Sequence, residues 1–383
     1  MPTNNEGYAV KTGALVAADE AQFEKQKKVP LGELFRKALA TGNMTMPTMI
    51  GDQWRLSRGI GRLNSRDYFR YRLYRPGLAP ADKAAFISEN LHWPVANLCC
   101  DRNWRAATED KWLSYLILGA AGIATPPTQA VYDTTARSFG ATRKLSNATD
   151  LGHFLATEAR YPLFAKPNSQ LASFGAFAIQ SFGDGLAQLH SGEAMPASDI
   201  AAKLMGQVSY VLKDRITNHP AIAAFADGLA TVRLMNFVES DHVSTYFAAL
   251  KIPANSNVAD NFWRPGNLLA NVDVATGKVT RVISGHGPDE KEVETGLGLE
   301  IPFWREALEL NQRAARLFAP VAYNSLDMCL TPNGPLVVEI NSSGSFDLPQ
   351  SASGKGMLTT EVLQFFARKG WKPALTALQS RRS

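Results

Sequence analysis

The run Asn324 to Gln350, NSLDMCLTPNGPLVVEINSSGSFDLPQ, constrains the fold more than any other stretch. Apolar runs flank Thr331-Pro332-Asn333-Gly334-Pro335. Asn-Gly beside proline is strong turn chemistry, so the spacing predicts a β-hairpin. Folded about Asn333, the hairpin sets Asp327 opposite Glu339, and Asn341, two residues on, shares the face of Glu339. Three oxygen-bearing side chains then converge on one patch. Such a set suits a hard divalent cation, since Mg²⁺ takes a few protein oxygens together with waters and substrate phosphates. A solvated hairpin face with ordinary polar residues is the alternative. Glu339 weighs against it, because it interrupts the apolar run Leu336-Val337-Val338, where an unpaired carboxylate is costly.

Other strands carry cations to their ends. Tyr161 to Ala165 reads as a strand leading into Lys166-Pro167, then a small-residue loop, Asn168 to Gly175, and a second strand, Ala176 to Gln180. Backbone N–H groups of such a loop can hold phosphate oxygens, with the lysine as a point charge. The spacing is not that of a P-loop, and a plain hairpin is the other reading. Val208 to Leu212, Ala230 to Val238 with Arg233 inside it, and Tyr246 to Ile252 ending near Lys251 follow as strands. Residues 267–274 and 278–283 form a further hairpin, and Pro302 to Phe318 has helical periodicity. Lys166, Arg233, Lys251 and the acidic hairpin together describe a cleft for a metal-bound polyphosphate.

The front of the chain reads differently. Residues 1–30 look loosely ordered, Leu31 to Ala40 is helical, and Met44 to Gly61 is irregular with Gly and Pro interruptions. Asn64 or Ser65 caps a helix that ends at Pro76-Gly77, and Pro80 opens another through Asn90. This helical front end shows no evident chemistry. Val95 to Cys100 reads as a short strand, Thr108-Glu109-Asp110 caps a helix over Lys111 to Ala121, and Asp150 starts another. Strand and helix alternate there. The tail after the helix Thr359 to Arg368 is basic and frayed. The fold class is α+β.

With 383 residues the chain has ample core. Its net charge of +5 fits an anionic ligand such as a nucleotide, without requiring one. The arginines between Arg55 and Arg75 alternate with Tyr68, Phe69, Tyr71 and Tyr74, which describes a helix with aromatic contacts inward rather than a nucleic-acid surface. Three cysteines, Cys99, Cys100 and Cys329, show no metal spacing. The N-terminus lacks the apolar stretch of a signal peptide, and no 18-residue apolar run is present. These observations point to a cytoplasmic protein without a membrane span.

In order along the chain, several markers form a recognisable pattern. They are Asp110-Lys111 with Gly122 to Pro127; Pro162 to Pro167 with Ser173-Phe174-Gly175; Asn218-His219-Pro220-Ala221 leading to Thr231-Val232-Arg233; Asp260-Asn261, Val272-Asp273 and Thr276-Gly277; Ile301 to Trp304; and Asp327, Glu339-Ile340-Asn341 and Gln350. With these markers, and with Asn64 to Ile87, the chain resembles the ATP-grasp superfamily and in particular its sugar-transfer-associated family, over about residues 60 to 360. The resemblance implies two α+β subdomains gripping ATP, at 161–215 (the lid) and 216–370 (the metal site). They are preceded by a helical extension at 1–94 and an α/β segment at 95–160, and followed by a tail at 371–383.

By the same resemblance, Lys111 and Lys166 contact ATP phosphates. Ser173, Phe174 and Gly175 form the lid, and Tyr210, Val211, Leu212 and Lys213 the hinge at the adenine. Arg233 and Lys251 neutralise charge on the transferred phosphoryl group. Asp327, Glu339 and Asn341 hold one or two Mg²⁺ ions, with Mn²⁺ as the alternative. The chain departs from the pattern in three places. Its lid has Gly175 as the recognisable glycine. Ser325 stands where many ligases have an arginine, which assigns Arg233 or Arg264 to the acyl phosphate. Lys213 stands where an acidic or amide side chain is common. His219 reads equally as an active-site residue or a turn residue. Asp260, Asn261, Trp263, His286 and Ser343 lie in loops expected to line the substrate pocket.

The implied reaction is ATP-dependent ligation of a carboxylate to an amine through an acyl phosphate. The partners are small molecules, to which the family name adds a link to sugars. The alternatives are a kinase acting on a sugar or cyclitol hydroxyl, and a nucleotide-binding partner protein without turnover. No convincing Ser/His/Asp or Cys/His set argues for a covalent enzyme nucleophile.

Overall fold

Strands of alternating polarity build two seven-stranded sheets, one on each side of a cleft. The computed structural model of the protein describes residues 13–169, 173–226, 228–254, 257 and 259–380. The first sheet has the order β2-β1-β7-β3-β4-β5-β6. Its strands are Thr128–Tyr132 (β1), Arg143–Leu145 (β2), Leu163–Pro167 (β3), Phe177–Gly183 (β4), Leu186–Leu189 (β5), Ala194–Pro196 (β6) and Tyr210–Asp214 (β7). All its pairs are antiparallel except β1 with β2. The second sheet is antiparallel throughout, in the order β12-β11-β10-β9-β8-β13-β14. It comprises Thr231–Val238 (β8), Val243–Ile252 (β9), Leu268–Val272 (β10), Val279–Ser284 (β11), Lys291–Glu292 (β12), Tyr323–Thr331 (β13) and Gly334–Asn341 (β14).

The second sheet sets its two faces to different work. Val232, Leu234, Leu326, Met328 and Leu330 face a core shared with the helices Lys111–Ala120 and Trp304–Leu317. Arg233, Met235 and Phe237 alternate with them on the other face. There, Met235, Phe237 and Tyr323 are covered by Ile87, Val95, Phe346 and the aromatic residues of Thr360–Arg368. That cover stops short of Thr231, Arg233 and Asp327, which face the first sheet.

The predicted hairpin is present, and Asp327 pairs with Glu339, for a reason the turn alone does not supply. Thr331 pairs with Gly334, and the register continues through Met328 opposite Val337. An even register would set Asp327 against Val338. A bulge at that point skips Val338 and turns Glu339 onto the face of Asp327. The Val338 carbonyl, released from the ladder, accepts from Tyr115 Oη at 2.7 Å and from Lys166 Nζ at 3.4 Å.

Several local expectations are corrected. Ala14–Lys27 is a helix where residues 1–30 were expected to be loosely ordered, and residues 1–12 lie outside the described residues. Met46–Arg58 is helical although the stretch holds Pro47 and Gly51. Pro47 sits in the first turn, where its missing N–H has no partner to lose. Val95 to Cys100 is not a strand. His92–Ala96 is a helical turn, and Cys100 alone bridges to Val321. The tail is helical over Lys372–Ser380 and buries Trp371 and Ala374 against Thr360–Arg368. The Asn64 cap takes the form of a capping box with Asp67. All three cysteines are free, and burial pushes the Cys329 thiol up to about 12.

A buried amide network ties the helix Trp304–Leu317 to three strands. Asn311 donates to Asn236 Oδ1 and Thr245 Oγ1, both at 2.8 Å, and Asn236 donates to Asn311 at 2.9 Å and to Asn324 at 3.2 Å. Asn236, Asn311 and Asn324 are each 0% exposed. Asn311→Ala should therefore cost about 2 kcal/mol through the amides it orphans, read as a lower denaturant midpoint at unchanged slope.

Candidate functional site

The uncovered patch of the second sheet is densely charged. Asp327 lies between Arg233 on β8 and Glu339 on β14. Arg233 grips it with two bonds, Nε to Oδ1 at 2.7 Å and Nη2 to Oδ2 at 2.6 Å. Lys251 Nζ reaches the same Oδ2 at 3.1 Å and Asp260 Oδ1 at 3.2 Å, and Thr231 Oγ1 donates to Asp260 Oδ2. Burial alone pushes the Asp327 carboxyl up, but the Arg233 and Lys251 charges outweigh it and hold it well below the usual carboxylate range. Asp260 is pushed up by burial, with Lys251 opposing.

Cations from the other side of the cleft answer Glu339. Asp110 caps the helix Lys111–Ala120 through Leu113 N, and Asn168 accepts from Lys111 N at 3.0 Å and Trp112 N at 2.9 Å. This capping aims the first helical residue, Lys111, into the cleft. Lys111 Nζ lies 3.5 Å from Glu339 Oε1, and Lys166 Nζ, on β3, lies 3.4 Å from Oε2. Burial works against the Glu339 charge, and the two lysines prevail, holding its carboxyl low. Burial lowers Lys111 as well. Lys213 finds no hydrogen-bond acceptor among the described residues. Its Nζ sits 3.1 Å from the Tyr115 ring centroid, and burial pushes it well below the ordinary lysine value.

Asp327, Glu339 and Asn341 share one face of the hairpin, and Asn341 Nδ2 is buried with no partner among the described residues. No group of three or more His, Cys, Asp or Glu side chains among the described residues forms a complete metal cage. Two carboxylates and an amide instead suit a cation that completes its shell with water and phosphate. Next to them opens a cleft. Lys166, Lys251, Asp327 and Glu339 line its polar end, and Pro126, Phe164, Ile216 and Leu229 an apolar end.

A model of the sugar-transfer associated ATP-grasp family matches residues 98–365. The chain belongs to this family. It has the ATP-grasp fold, with two sheets about the cleft and a helical N-terminal region. Among curated proteins no sequence matches. Solved structures with a similar arrangement include N5-carboxyaminoimidazole ribonucleotide synthetase in its ADP complex, at 13% identity and TM-score 0.37 over 62% of this chain. VanG D-Ala:D-Ser ligase from Enterococcus faecalis matches at 14% and 0.36 over 67%. Biotin carboxylase from Campylobacter jejuni matches at 14% and 0.37 over 65%. The chain covers 45%, 61% and 46% of those chains respectively, less than two thirds of each.

Within this ATP-grasp chain the predicted residues fall into groups. Lys111, Lys166, Arg233, Lys251, Asp260, Asp327 and Glu339 come together in one charged cluster. Tyr210 donates to Gly175 O, in the loop between β3 and β4, at 3.0 Å. Val211 and Leu212 point into opposite cores, while Lys213 lines the cleft with Asp214 to Ile216. Ser173 also lines the cleft; residues 170–172 of that loop lie outside the described residues. Arg264 is not in the cluster. It donates to Asp19 Oδ2 at 2.8 Å and lies 4.6 Å from the Trp263 ring centroid. His219 caps the short helix Pro220–Ala223 through Ala221 N, the turn role. Asn261 adjoins the cluster through its neighbour Asp260, with its own Oδ1 buried and unpartnered among the described residues. His286 Nε2 donates to Phe262 O at 3.0 Å, and Ser343 meets His92.

Residues outside the sequence prediction also build the site. Tyr115 follows Lys111 by one helical turn, and Phe164 precedes Lys166 by one strand repeat, so periodicity from the two lysines reaches both. No local pattern finds the strap. The helix Ala14–Lys27 bridges two loops, where Asp19 Oδ2 accepts from Gly175 N at 2.9 Å and from Arg264. Phe23, Phe174 and Trp263 meet ring to ring with centroids 5.3–5.6 Å apart. Gly175, at φ +75°, is required there, since a Cβ would stand 2.4 Å from Val16 Cγ2. Asp19→Ala should raise amide exchange of Phe174 to Ala178 about tenfold and leave β8 and β13 unchanged, measured by hydrogen-exchange mass spectrometry.

A second expectation concerns Lys213. Its folded pKa lies below its unfolded one, so the unfolded chain binds the extra proton and stability rises with pH between the two values. Lys213→Met should raise the melting temperature at pH 7 by a few degrees, and the gain should shrink toward pH 10. A gain independent of pH would contradict a lysine whose charge burial disfavours.

Proposed function

We propose that the protein is an ATP-dependent carboxylate–amine ligase that works through an acyl phosphate and releases ADP. The observation that carries the reading is the pairing of Asp327 and Glu339 with Arg233, Lys251, Lys111 and Lys166 in the cleft. Asp327 and Glu339 are held ionised by four cations. Asp327 and Glu339, held that low, are poor acceptors for a hydroxyl proton, and the third carboxylate of the cleft, Asp260, which burial raises, is engaged by Lys251 and Thr231. A nucleophile that arrives already as an anion, a carboxylate, needs no such base. This favours the ligase over a kinase acting on an alcohol.

In this reading the substrate carboxylate oxygen attacks the γ-phosphorus, and the bond to the bridging oxygen breaks to leave ADP. The amine nitrogen then attacks the acyl carbon, phosphate departs, and the amine loses a proton. Lys111 and Lys166 hold phosphate oxygens, while Arg233 and Lys251 neutralise the transferred group. Positioning and charge neutralisation supply most of the catalysis in such transfers. Asp327, Glu339 and Asn341 are the residues that would hold Mg²⁺, which when bound neutralises polyphosphate charge. Pro126, Phe164, Ile216 and Leu229 offer an apolar wall to an adenine. Arg264 and His219, engaged elsewhere, are left out of this set. The family description points to a sugar-linked carboxylate or amine, as in surface-polysaccharide or sugar-conjugate assembly.

The test is ADP release from Mg-ATP across a panel of carboxylates and amino sugars, with hydroxylamine present to trap acyl phosphate. ADP with hydroxamate supports the ligase. ADP with a phosphorylated alcohol and no hydroxamate replaces it with the kinase, and ATP binding without turnover on any substrate replaces it with a nucleotide-binding partner protein. Glu339→Gln should lower turnover at least a thousandfold with the melting temperature within a few degrees of wild type. Near-normal ADP release by that variant would remove the metal assignment.

A further inference from the structure

We propose that the helix Met46–Arg58 docks the protein on the surface of an anionic lipid bilayer. Its outward row of Met46, Ile50 and Trp54 enters the interface, and the arginines that accompany it meet lipid phosphates.

The helix is apolar on two sides. Met49 and Leu56, 0% and 4% exposed, pack inward in the cluster of Tyr68 and Phe69. Met46, Ile50 and Trp54 recur every fourth residue, so they form one row along the helix. This row faces solvent, at 45%, 54% and 62% exposure. Pro47 and Gly51, both exposed, flank it and add no polar side chain. Single exposed apolar residues are ordinary on a protein surface, whereas three large ones in a continuous row mark a contact site.

Charge selects the partner. From Arg55 to Arg75 seven arginines stand against one carboxylate, Asp67. Arg70, Arg72 and Arg75 are drawn inward, to Asp347, Glu290 and the Gly354 carbonyl. Arg55, Arg58, Arg62 and Arg66 are exposed. Over residues 41–66 the one carboxylate is Asp52. It is already answered, by Arg55 Nη2 and Lys83 Nζ, each at 2.5 Å. The stretch that bears the apolar row therefore offers solvent four cations and no uncompensated carboxylate. The Arg58 guanidinium lies 3.9 Å from the Trp54 ring centroid, so charge and the most exposed apolar side chain occupy one spot. A tryptophan beside an arginine suits the headgroup level of a bilayer, with the ring against the acyl boundary and the guanidinium at the phosphates.

Other occupants fit less of this surface. A second copy would cover the apolar row but set like arginines face to face. A nucleic acid would answer the arginines and leave Met46 and Ile50 wet. An anionic bilayer takes both, since apolar burial and attraction to acidic headgroups add. No helix of the described residues is long and apolar enough to cross a membrane, so the attachment proposed is to the surface.

The experiment is co-sedimentation of the full chain with sucrose-loaded vesicles of phosphatidylcholine, alone or with about one third phosphatidylglycerol. The anionic vesicles should bind at least about tenfold more protein, and added salt should reverse the gain. The double variant Ile50→Ser, Trp54→Ser should lower partitioning about tenfold or more. Arg58→Gln and Arg62→Gln should each lower it about fivefold. All four side chains face solvent, so the melting temperature should stay unchanged and a loss of binding reads the surface itself. No enrichment on anionic vesicles overturns the proposal. Binding that the arginine variants lose and the Ile50→Ser, Trp54→Ser variant keeps also overturns it, leaving charge adsorption without a docked helix. Retention on heparin, or dimerisation in light scattering, that the Ile50→Ser, Trp54→Ser variant abolishes in the absence of vesicle binding replaces the bilayer with a polyanion or a second copy. The readout involves no nucleotide, so it stands or falls apart from the ligase reading.

Discussion

A carboxylate can be buried between two sheets only if its charge is answered, and the cleft is arranged around that requirement. Asp327 and Glu339 sit one on each strand of a hairpin, in an interior where a lone carboxylate would cost several kcal/mol. Arg233 and Lys251 answer the first from neighbouring strands, and Lys111 and Lys166 answer the second from across the cleft. The two sheets are therefore joined by charge as well as by packing. On the proposed reading the same cations engage a polyphosphate, so filling the cleft exchanges one set of ion pairs for another with little reorganisation.

The bulge at Val338 makes this arrangement possible. It turns Glu339 inward, and it frees a carbonyl that holds Tyr115 and Lys166 at the rim. One extra residue in one strand thus sets the second carboxylate, the lysine that faces it and the ring beneath Lys213. The N-terminal helices have a comparable influence from outside the sheets. One straps the loop at Gly175 to the loop bearing Trp263 and Arg264 through Asp19. Another brings Arg70 against Asp347, beyond β14. The front end, which shows no chemistry as a string of residues, meets loops of both sheets at these places.

Much of the site was legible in the chain because it depends on short-range rules. Turn chemistry at Pro332-Asn333-Gly334 announced the hairpin, strand periodicity put Arg233 and Asp327 in candidate positions, and the Asp110 cap announced the helix that presents Lys111. Each of these rests on residues within a few positions of one another. The family pattern added the order in which they are strung. The Asp327–Glu339 pairing was also expected, although an even register about the turn would have missed it by one residue.

Only the tertiary structure decided the rest, because the deciding contacts join residues distant in sequence. The Asp19 strap spans 245 residues to Arg264, and Glu89 reaches the backbone amides of Phe346 and Asp347, 257 and 258 positions away. Arg264, a fair candidate for the phosphoryl cluster by composition, is claimed instead by Asp19. His219 is claimed by its own turn. Local sequence determined which elements form and which face each side chain takes. Which charges meet was settled by burial, since an ionised group moved out of water must find its counter-charge wherever the fold places one.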